Sequence, residues 1–137
     1  MEHSLHSDIK LVHCIAPAAL VANTNGAAID CAGHESLEFA FNVGTAMVGG
    51  GFAGTLQESD TGAFGGEETT VAAEHILGGL PTISIGDANK VFRCGYIGKK
   101  RYVRPVLTET GTISGGVVGC MAILGHPKNA PVADQNT

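Results

Sequence analysis

Several residue types that many domains use heavily are scarce or missing in this chain. It has no tryptophan, and only two tyrosines and five phenylalanines occur in 137 residues. Sugar-binding sites usually display exposed aromatic platforms, so this scarcity disfavours a carbohydrate-binding module. No apolar run approaches the length of about eighteen residues that a membrane-spanning helix needs. The first ten residues, "MEHSLHSDIK", lack the apolar centre of a signal peptide, so we expect a cytosolic chain without membrane partners.

Positive charge is also scarce. Eight Lys and Arg residues stand against thirteen Asp and Glu residues, which gives a net charge of −5. Nucleic-acid-binding domains usually carry a basic footprint, so we expect no nucleic-acid partner. Six of the eight positive residues nevertheless lie between 90 and 104. This cluster is either the solvated face of a hairpin or a contact for an acidic partner.

The four cysteines are widely and irregularly spaced, and no Cys-x-x-Cys pair occurs among them. They are Cys14, Cys31, Cys94 and Cys120, and each stands in apolar sequence. Apolar surroundings predict buried free thiols that pack as small hydrophobic side chains. Disulfides would require an oxidising compartment, which we do not expect for this chain.

Recognisable catalytic and cofactor motifs are missing as well. The six histidines form no zinc-binding pattern, and the glycines form no phosphate-binding loop. Glu58, Asp60 and Thr61 could supply oxygen ligands, but without the calcium-loop spacing they are typical of a turn. No nucleophile stands in a known signature. We therefore expect no catalytic residue, no metal and no cofactor, and hence not an enzyme.

Glycine and alternating apolar sequence are what the chain does contain. Its twenty glycines favour turns and closely approaching backbones over long helices. In "ESLEFAFNV", residues 35–43, the side chains of Leu37, Phe39, Phe41 and Val43 share one face, which predicts a half-buried strand. The stretch "FAGTLQES" alternates in the same way.

About seven to nine such short strands, separated by turn signals, predict an all-β fold. We expect an antiparallel β-sandwich or barrel-like domain over residues 18–124. Pro17 and the polar sequence before it predict an extended N-terminal arm over residues 1–17. The ending "GHPKNAPVADQNT" predicts an extended C-terminal tail over residues 125–137.

Local turn chemistry also predicts how the strands connect. "NTNG" at 23–26 and "GKK" at 98–100 are each flanked by strand-like sequence and are expected to form hairpins. Pro105 predicts an edge position or a bulge, because proline cannot donate to a ladder. "TISGGVVGCMAIL", residues 112–124, predicts one long strand with a bend or a close backbone approach at its glycines.

The succession "ESLEFAFNVG", "LQESDTGAF", "GYIGKKRYVRPVLT" and "LGHPKNAPV" resembles a family of small tailed-bacteriophage virion proteins. Members of this family are commonly encoded in the head-gene cluster beside the major capsid protein. The resemblance covers about residues 18–132. Family members often have a tryptophan after an "ESDDG"-like turn, where this chain has "ESDTGAFGGEE", so the packing of that turn is left open.

The resemblance implies a structural component of the phage particle, and in particular a head decoration (cement) protein. Such a protein binds the capsid exterior, so the implied partners are the major capsid protein and further copies of the chain, as a homotrimer. The implied location is the virion surface, after assembly in the bacterial cytoplasm. Head–tail connectors, tail-tube proteins and head fibres remain alternatives. A carbohydrate-binding β-sandwich is the alternative from another class.

Under this interpretation the two chain ends and the basic cluster are the candidate partner-binding segments. Residues 5–16 would form one arm, and residues 126–132, held extended by prolines, would form the other. The basic cluster would meet an acidic capsid surface and tune specificity more than affinity. The candidate residues are Leu5, Ile9, Leu11, Val12, Lys99, Lys100, Arg101, Arg104, His126, Pro127 and Pro131.

Overall fold

The computed structural model describes residues 4–45 and 47–135, and within them the regular secondary structure is almost wholly β-strand. One short 3-10 turn, Ala73–His75, is the exception. The strands are β1 Ile9–Ala19, β2 Thr24–Asn25, β3 Ile29–Asp30, β4 His34–Val43, β5 Val48–Ser59, β6 Thr69–Thr70, β7 Ile76–Leu77, β8 Thr82–Ile83, β9 Val91–Tyr96, β10 Tyr102–Ser114 and β11 Val117–Pro127.

The strands form two antiparallel sheets that pack face to face, which confirms the predicted all-β sandwich. The first sheet has the order β1-β11-β4-β9-β7. The second has the order β2-β10-β5-β6, with β3 also paired to β10 and β8 also paired to β5. About seven to nine short strands were predicted, whereas the structure has eleven. Five of them span ten to thirteen residues (β1, β4, β5, β10 and β11), and five others span two.

The core lies between the two sheets, where the alternating sequence predicted it. Phe39 and Phe41 of β4 are fully buried, and Phe52 and Leu56 of β5 face them from the second sheet. The period of two along each strand sends every second side chain inward, so the predicted inward face of residues 35–43 is confirmed. Burying a phenylalanine or leucine side chain contributes roughly 1.5–3 kcal/mol.

The N-terminal segment corrects one expectation, because residues 9–17 belong to a sheet strand and not to an arm. β1 pairs with β11 from Ile9 opposite Gly125 to Ala19 opposite Val117. Pro17 is accommodated because β1 is an edge strand whose register shifts between Ile15 and Ala18. The C-terminal tail is shorter than expected for the same reason, since β11 continues to Pro127.

Both predicted hairpins are wrong. Residues 97–101 carry the chain from β9 in one sheet to β10 in the other, so "GKK" is a corner between sheets. β2 and β3, on either side of Gly26, both pair with β10 and not with each other. The expected long strand over 112–124 is likewise split, and the chain changes sheets at Gly115, where φ is +80°.

Pro105 lies within a long strand at a position where its missing N–H costs no ladder bond to β5. Its carbonyl oxygen accepts a hydrogen bond from the Gly26 amide at 2.7 Å. In a strand, the N–H and C=O of one residue point to the same side. The nitrogen of Pro105 therefore faces the gap between β2 and β3. The predicted edge position or bulge is wrong, because β10 is an inner strand and its register with β5 is regular at Pro105.

Candidate partner-binding surface

The loop of residues 97–101, between β9 and β10, is held in place by the buried Tyr96. The Tyr96 hydroxyl donates to Glu58 Oε2 at 2.5 Å, and the Lys100 amide donates to the same hydroxyl at 3.0 Å. Burial and the Glu58 hydrogen bond raise the pKa of Tyr96 above its ordinary value. The phenol therefore stays protonated and keeps the basic loop fixed against the second sheet.

Most of the basic cluster is paired with acidic side chains of the same chain. Lys100 Nζ lies 2.5 Å from Asp60 Oδ2, and Arg101 makes two hydrogen bonds of 2.9 Å to the Asp30 carboxylate. The Arg101 hydrogen bond lowers the pKa of Asp30 to about 2. Lys99 is exposed and makes no ion pair with the described residues. The cluster is therefore a charge-paired surface and not an open positive patch.

Arg104 is separated from the other basic residues. It donates to Gln57 Oε1 at 2.8 Å and lies over the ring of Phe64 at 4.5 Å from the centroid. Its guanidinium is also 3.8 Å from Glu68, and both of these side chains are mostly shielded from solvent. These contacts stabilise the glycine-rich segment after β5. The Arg104 side chain therefore already has its partners within its own chain.

A groove of about 490 Å³ lies between the basic loop and the segment that leads into β4. We call it the loop groove. It brings the basic residues 99–101 next to the start of β4. Its lining residues are Cys31, Ala32, His34, Glu35, Ser36, Leu37, Tyr96, Ile97, Gly98, Lys99, Lys100 and Arg101.

A second groove, of about 530 Å³, adjoins the first and shares residues 35–37 and 96–97 with it. We call it the terminal groove, because residues 5–9 near the start of the chain and residues 125–127 at the end of β11 line it. The Ser36 hydroxyl and His126 Nδ1 are hydrogen-bonded across its wall at 2.8 Å. Its other lining residues are Leu5, Asp8, Ile9, Glu38, Leu77, Ile123, Gly125 and Pro127.

The two grooves bring together seven of the eleven candidate residues: Leu5, Ile9, Lys99, Lys100, Arg101, His126 and Pro127. Leu11 and Pro131 line neither groove. Leu11 lies beneath the C-terminal tail, and Pro131 is part of that tail. Val12 packs against the core and is not available to a partner. Arg104 lines neither groove.

The outer face of the five-stranded sheet adds apolar residues that were not predicted. Ile123 and Leu77 stand in one row across the sheet, linked through Glu38 and Gly95. Leu77 and Ile97 are each 52% exposed. The alternation in "VVGCMAIL" could have revealed Ile123, but β7 is too short to give Leu77 any periodic signal. Leu77, Ile97 and Ile123 line the terminal groove together, and exposed apolar residues grouped in this way are a feature of protein-contact surfaces.

His34 separates the loop groove from a smaller groove under the tail. Both of its ring nitrogens are shielded from solvent and have no hydrogen-bond partner among the described residues. Buried polar atoms normally have a hydrogen-bond partner, so the His34 ring favours a hydrogen bond with a water molecule or with a polar group of a partner.

The described residues contain no cluster of His, Cys, Asp and Glu that could hold a metal ion. Within the same ranges, no helix has the length and apolar character to cross a membrane. The four cysteines are free, as predicted. Cys14, Cys94 and Cys120 are also buried as predicted, whereas Cys31 is only partly buried. No protein-family model matches the chain, and a search of curated proteins finds no match.

Proposed function

We propose that this chain is a structural protein of a tailed-bacteriophage particle that binds the capsid exterior and stabilises the head. The observation that carries the proposal is that residues 5–9, the end of β11 and the basic loop line two adjoining grooves. The sequence resemblance supports the same role. The proposed partners are the major capsid protein and further copies of the chain in a homotrimer at the capsid surface.

The chemistry of the grooves fits a protein partner. Apolar side chains such as Leu77 and Ile97 supply area that a partner can cover, and aromatic and aliphatic anchors dominate protein interfaces. Lys99 lies on the rim, where an acidic group of the partner would contribute to specificity and association rate. The paired residues Lys100 and Arg101 are held in fixed positions by their own carboxylates, which lowers the entropy lost on binding.

Stabilisation of the head follows from mass action. A protein that binds the assembled shell but not the separated subunits shifts the equilibrium towards the shell. Because many copies bind one shell, a modest affinity at each site adds to a large total. No chemical step is required, which agrees with the expectation that the chain is not an enzyme.

The alternative virion roles differ from decoration in assembly state. Head–tail connectors and tail-tube proteins form rings, so a ring-shaped oligomer of this chain would favour them. The carbohydrate-binding alternative has little support, because Tyr96 is buried and Tyr102 packs beside the Arg101 guanidinium at 5.1 Å. Neither tyrosine presents an open platform for a sugar ring.

Co-sedimentation with expanded, undecorated capsids of the corresponding phage tests the proposal. The full chain is expected to bind saturably, and Ile97→Asp is expected to weaken binding at least about tenfold by placing a charge in the apolar wall. Ile85→Asp is the matched control, because Ile85 is 58% exposed but lines neither groove.

Equal loss in both variants would show that the grooves are not the contact. Failure of the full chain to bind any capsid would overturn decoration, and electron microscopy of the purified chain would then test for a ring.

A further inference from the structure

The free edge of β1 is covered by the end of the same chain. β1 is the outermost strand of its sheet, and an outermost strand presents unpaired N–H and C=O groups to solvent. After β11 the chain bends at residues 128–131 and runs back beside β1. The Val132 amide donates to the Ser7 carbonyl at 2.9 Å, and Gln135 contacts Leu11, so the returning segment runs in the same direction as β1.

Gln135 occupies the edge at one specific point. Its side-chain oxygen accepts from the Leu11 amide at 2.9 Å, and its side-chain nitrogen donates to the Leu11 carbonyl at 2.7 Å. One amide thus satisfies both backbone groups that a neighbouring strand would use. Strand residues alternate in direction, so Ile9 and His13 face the same edge on either side of the blocked position.

The covering segment cannot extend the sheet. Its contact with Leu11 is through a side chain, and Pro131 lacks the N–H that a further strand would need. The Lys128 amide also donates to the Gly33 carbonyl at 2.9 Å, and open spaces of about 340 and 150 Å³ lie beside the segment, the larger next to residues 33–34 and the smaller next to Ile9 and Leu11. Residues 128–131 are exposed to solvent and to proteases.

We propose that residues 128–135 are a removable cover that keeps β1 from pairing, and that the uncovered edge binds β1 of a second copy. Two β1 strands related by a two-fold axis would pair antiparallel and join two five-stranded sheets into one. Ile9 and Leu11 are apolar and share one face of β1. Pairing of two β1 strands would therefore also bring the apolar outer faces of the two sheets side by side. The inference goes beyond the proposed function, because it needs no capsid.

Light scattering after size-exclusion chromatography tests this proposal over a range of protein concentrations. A chain ending at Pro127 is expected to show twice the mass of the full chain, whatever assembly the full chain forms. Gln135→Ala is expected to shift the same equilibrium at least about tenfold towards association, because it frees both groups of Leu11. Asn129→Ala is the matched control, since this exposed amide of the same segment makes no hydrogen bond with the described residues.

Adding Leu11→Lys to the shortened chain is expected to restore the original mass, because a lysine on an edge opposes pairing. An unchanged mass for the shortened chain, or a doubling that Leu11→Lys does not reverse, would overturn the proposal. Capsid co-sedimentation by the full chain is measured separately, so either proposal can fail while the other stands.

Discussion

Tyr96 and Glu58 form a hydrogen bond of 2.5 Å that joins the two sheets of the sandwich. Tyr96 ends β9 in the five-stranded sheet, and Glu58 lies near the end of β5 in the other sheet. The same hydroxyl accepts the Lys100 amide, so one phenol fixes the sheets and the basic loop together. The shape of the loop groove depends on this contact.

Tyr96→Phe is expected to lower the free energy of unfolding by about 1–3 kcal/mol, because Glu58 and the Lys100 amide each lose a buried partner. Urea denaturation measures the change. Tyr102→Phe is the control, since the Tyr102 hydroxyl makes no hydrogen bond with the described residues and its removal should be nearly neutral. Equal effects of the two substitutions would show that the bridge between the sheets contributes little.

Phe39→Ala is expected to cost about 3–5 kcal/mol of stability, because the ring is fully buried and its loss leaves a cavity between the sheets. Leu77→Ala removes an exposed side chain from the same sheet and should change stability by less than about 0.5 kcal/mol. Chemical denaturation of both variants gives the comparison. A small effect of Phe39→Ala would mean that the core repacks around the lost ring.

The cysteine thiols are expected to react slowly in the folded chain. Burial raises the pKa of Cys31 to about 11 and that of Cys94 to about 12. A hydrogen bond with the Cys14 thiol, together with burial, raises the pKa of Cys120 further. At pH 8 roughly one Cys31 thiol in a thousand is ionised, and the thiolate is the reactive form.

Ellman's reagent measures this difference, since all four thiols should react rapidly once guanidinium unfolds the chain. Rapid reaction of Cys14, Cys94 or Cys120 before unfolding would contradict their buried positions, and rapid reaction of Cys31 would contradict its raised pKa.

Asp30 is expected to make stability depend on acid pH. Its pKa in the folded chain is about 2, below the ordinary value of 3.8, because Arg101 and the Ala32 amide stabilise the carboxylate. The stability that the folded chain gains from the ionised Asp30 carboxylate is present in full above pH 3.8 and is lost as the pH falls towards 2. Asp30→Asn should therefore be slightly less stable than the parent at pH 7 and closer to it at pH 2.

Urea midpoints of the two chains at both pH values provide the measurement. The effect at pH 7 should be small, because both side chains of the ion pair are about half exposed. A difference that stays constant between pH 7 and pH 2 would show that Arg101 does not stabilise the charged form of Asp30.

The core could be predicted from the sequence because it depends on local alternation. Phe39, Phe41, Phe52 and Leu56 repeat at intervals of two or four residues, and any extended chain with that pattern has one apolar side. The connections could not be predicted in the same way. A turn signal such as Gly98-Lys99-Lys100 specifies a change of direction, but it does not specify which sheet the next strand joins.

The candidate surface was predicted residue by residue without its geometry. Leu5 and His126 were predicted as parts of the two terminal arms and Lys99 as part of the basic cluster, and the sequence held no sign that they would line adjoining grooves. The basic cluster was predicted as possible positive charge for a partner, yet Asp30 and Asp60 pair with two of its six residues, Arg101 and Lys100, across long sequence separations. Pairing of this kind depends on where two distant strands end.

By itself, the sequence determined an all-β chain, its inward-facing residues and its free buried thiols, because strand alternation and side-chain hydrophobicity act over a few neighbouring residues. Only the tertiary structure decided that the N-terminal segment is a strand, that the basic loop crosses between sheets, and that Gln135 covers Leu11, 124 residues away. Those outcomes depend on pairing between backbone segments that are far apart in the sequence. The packing of the whole core decides which of these segments pair.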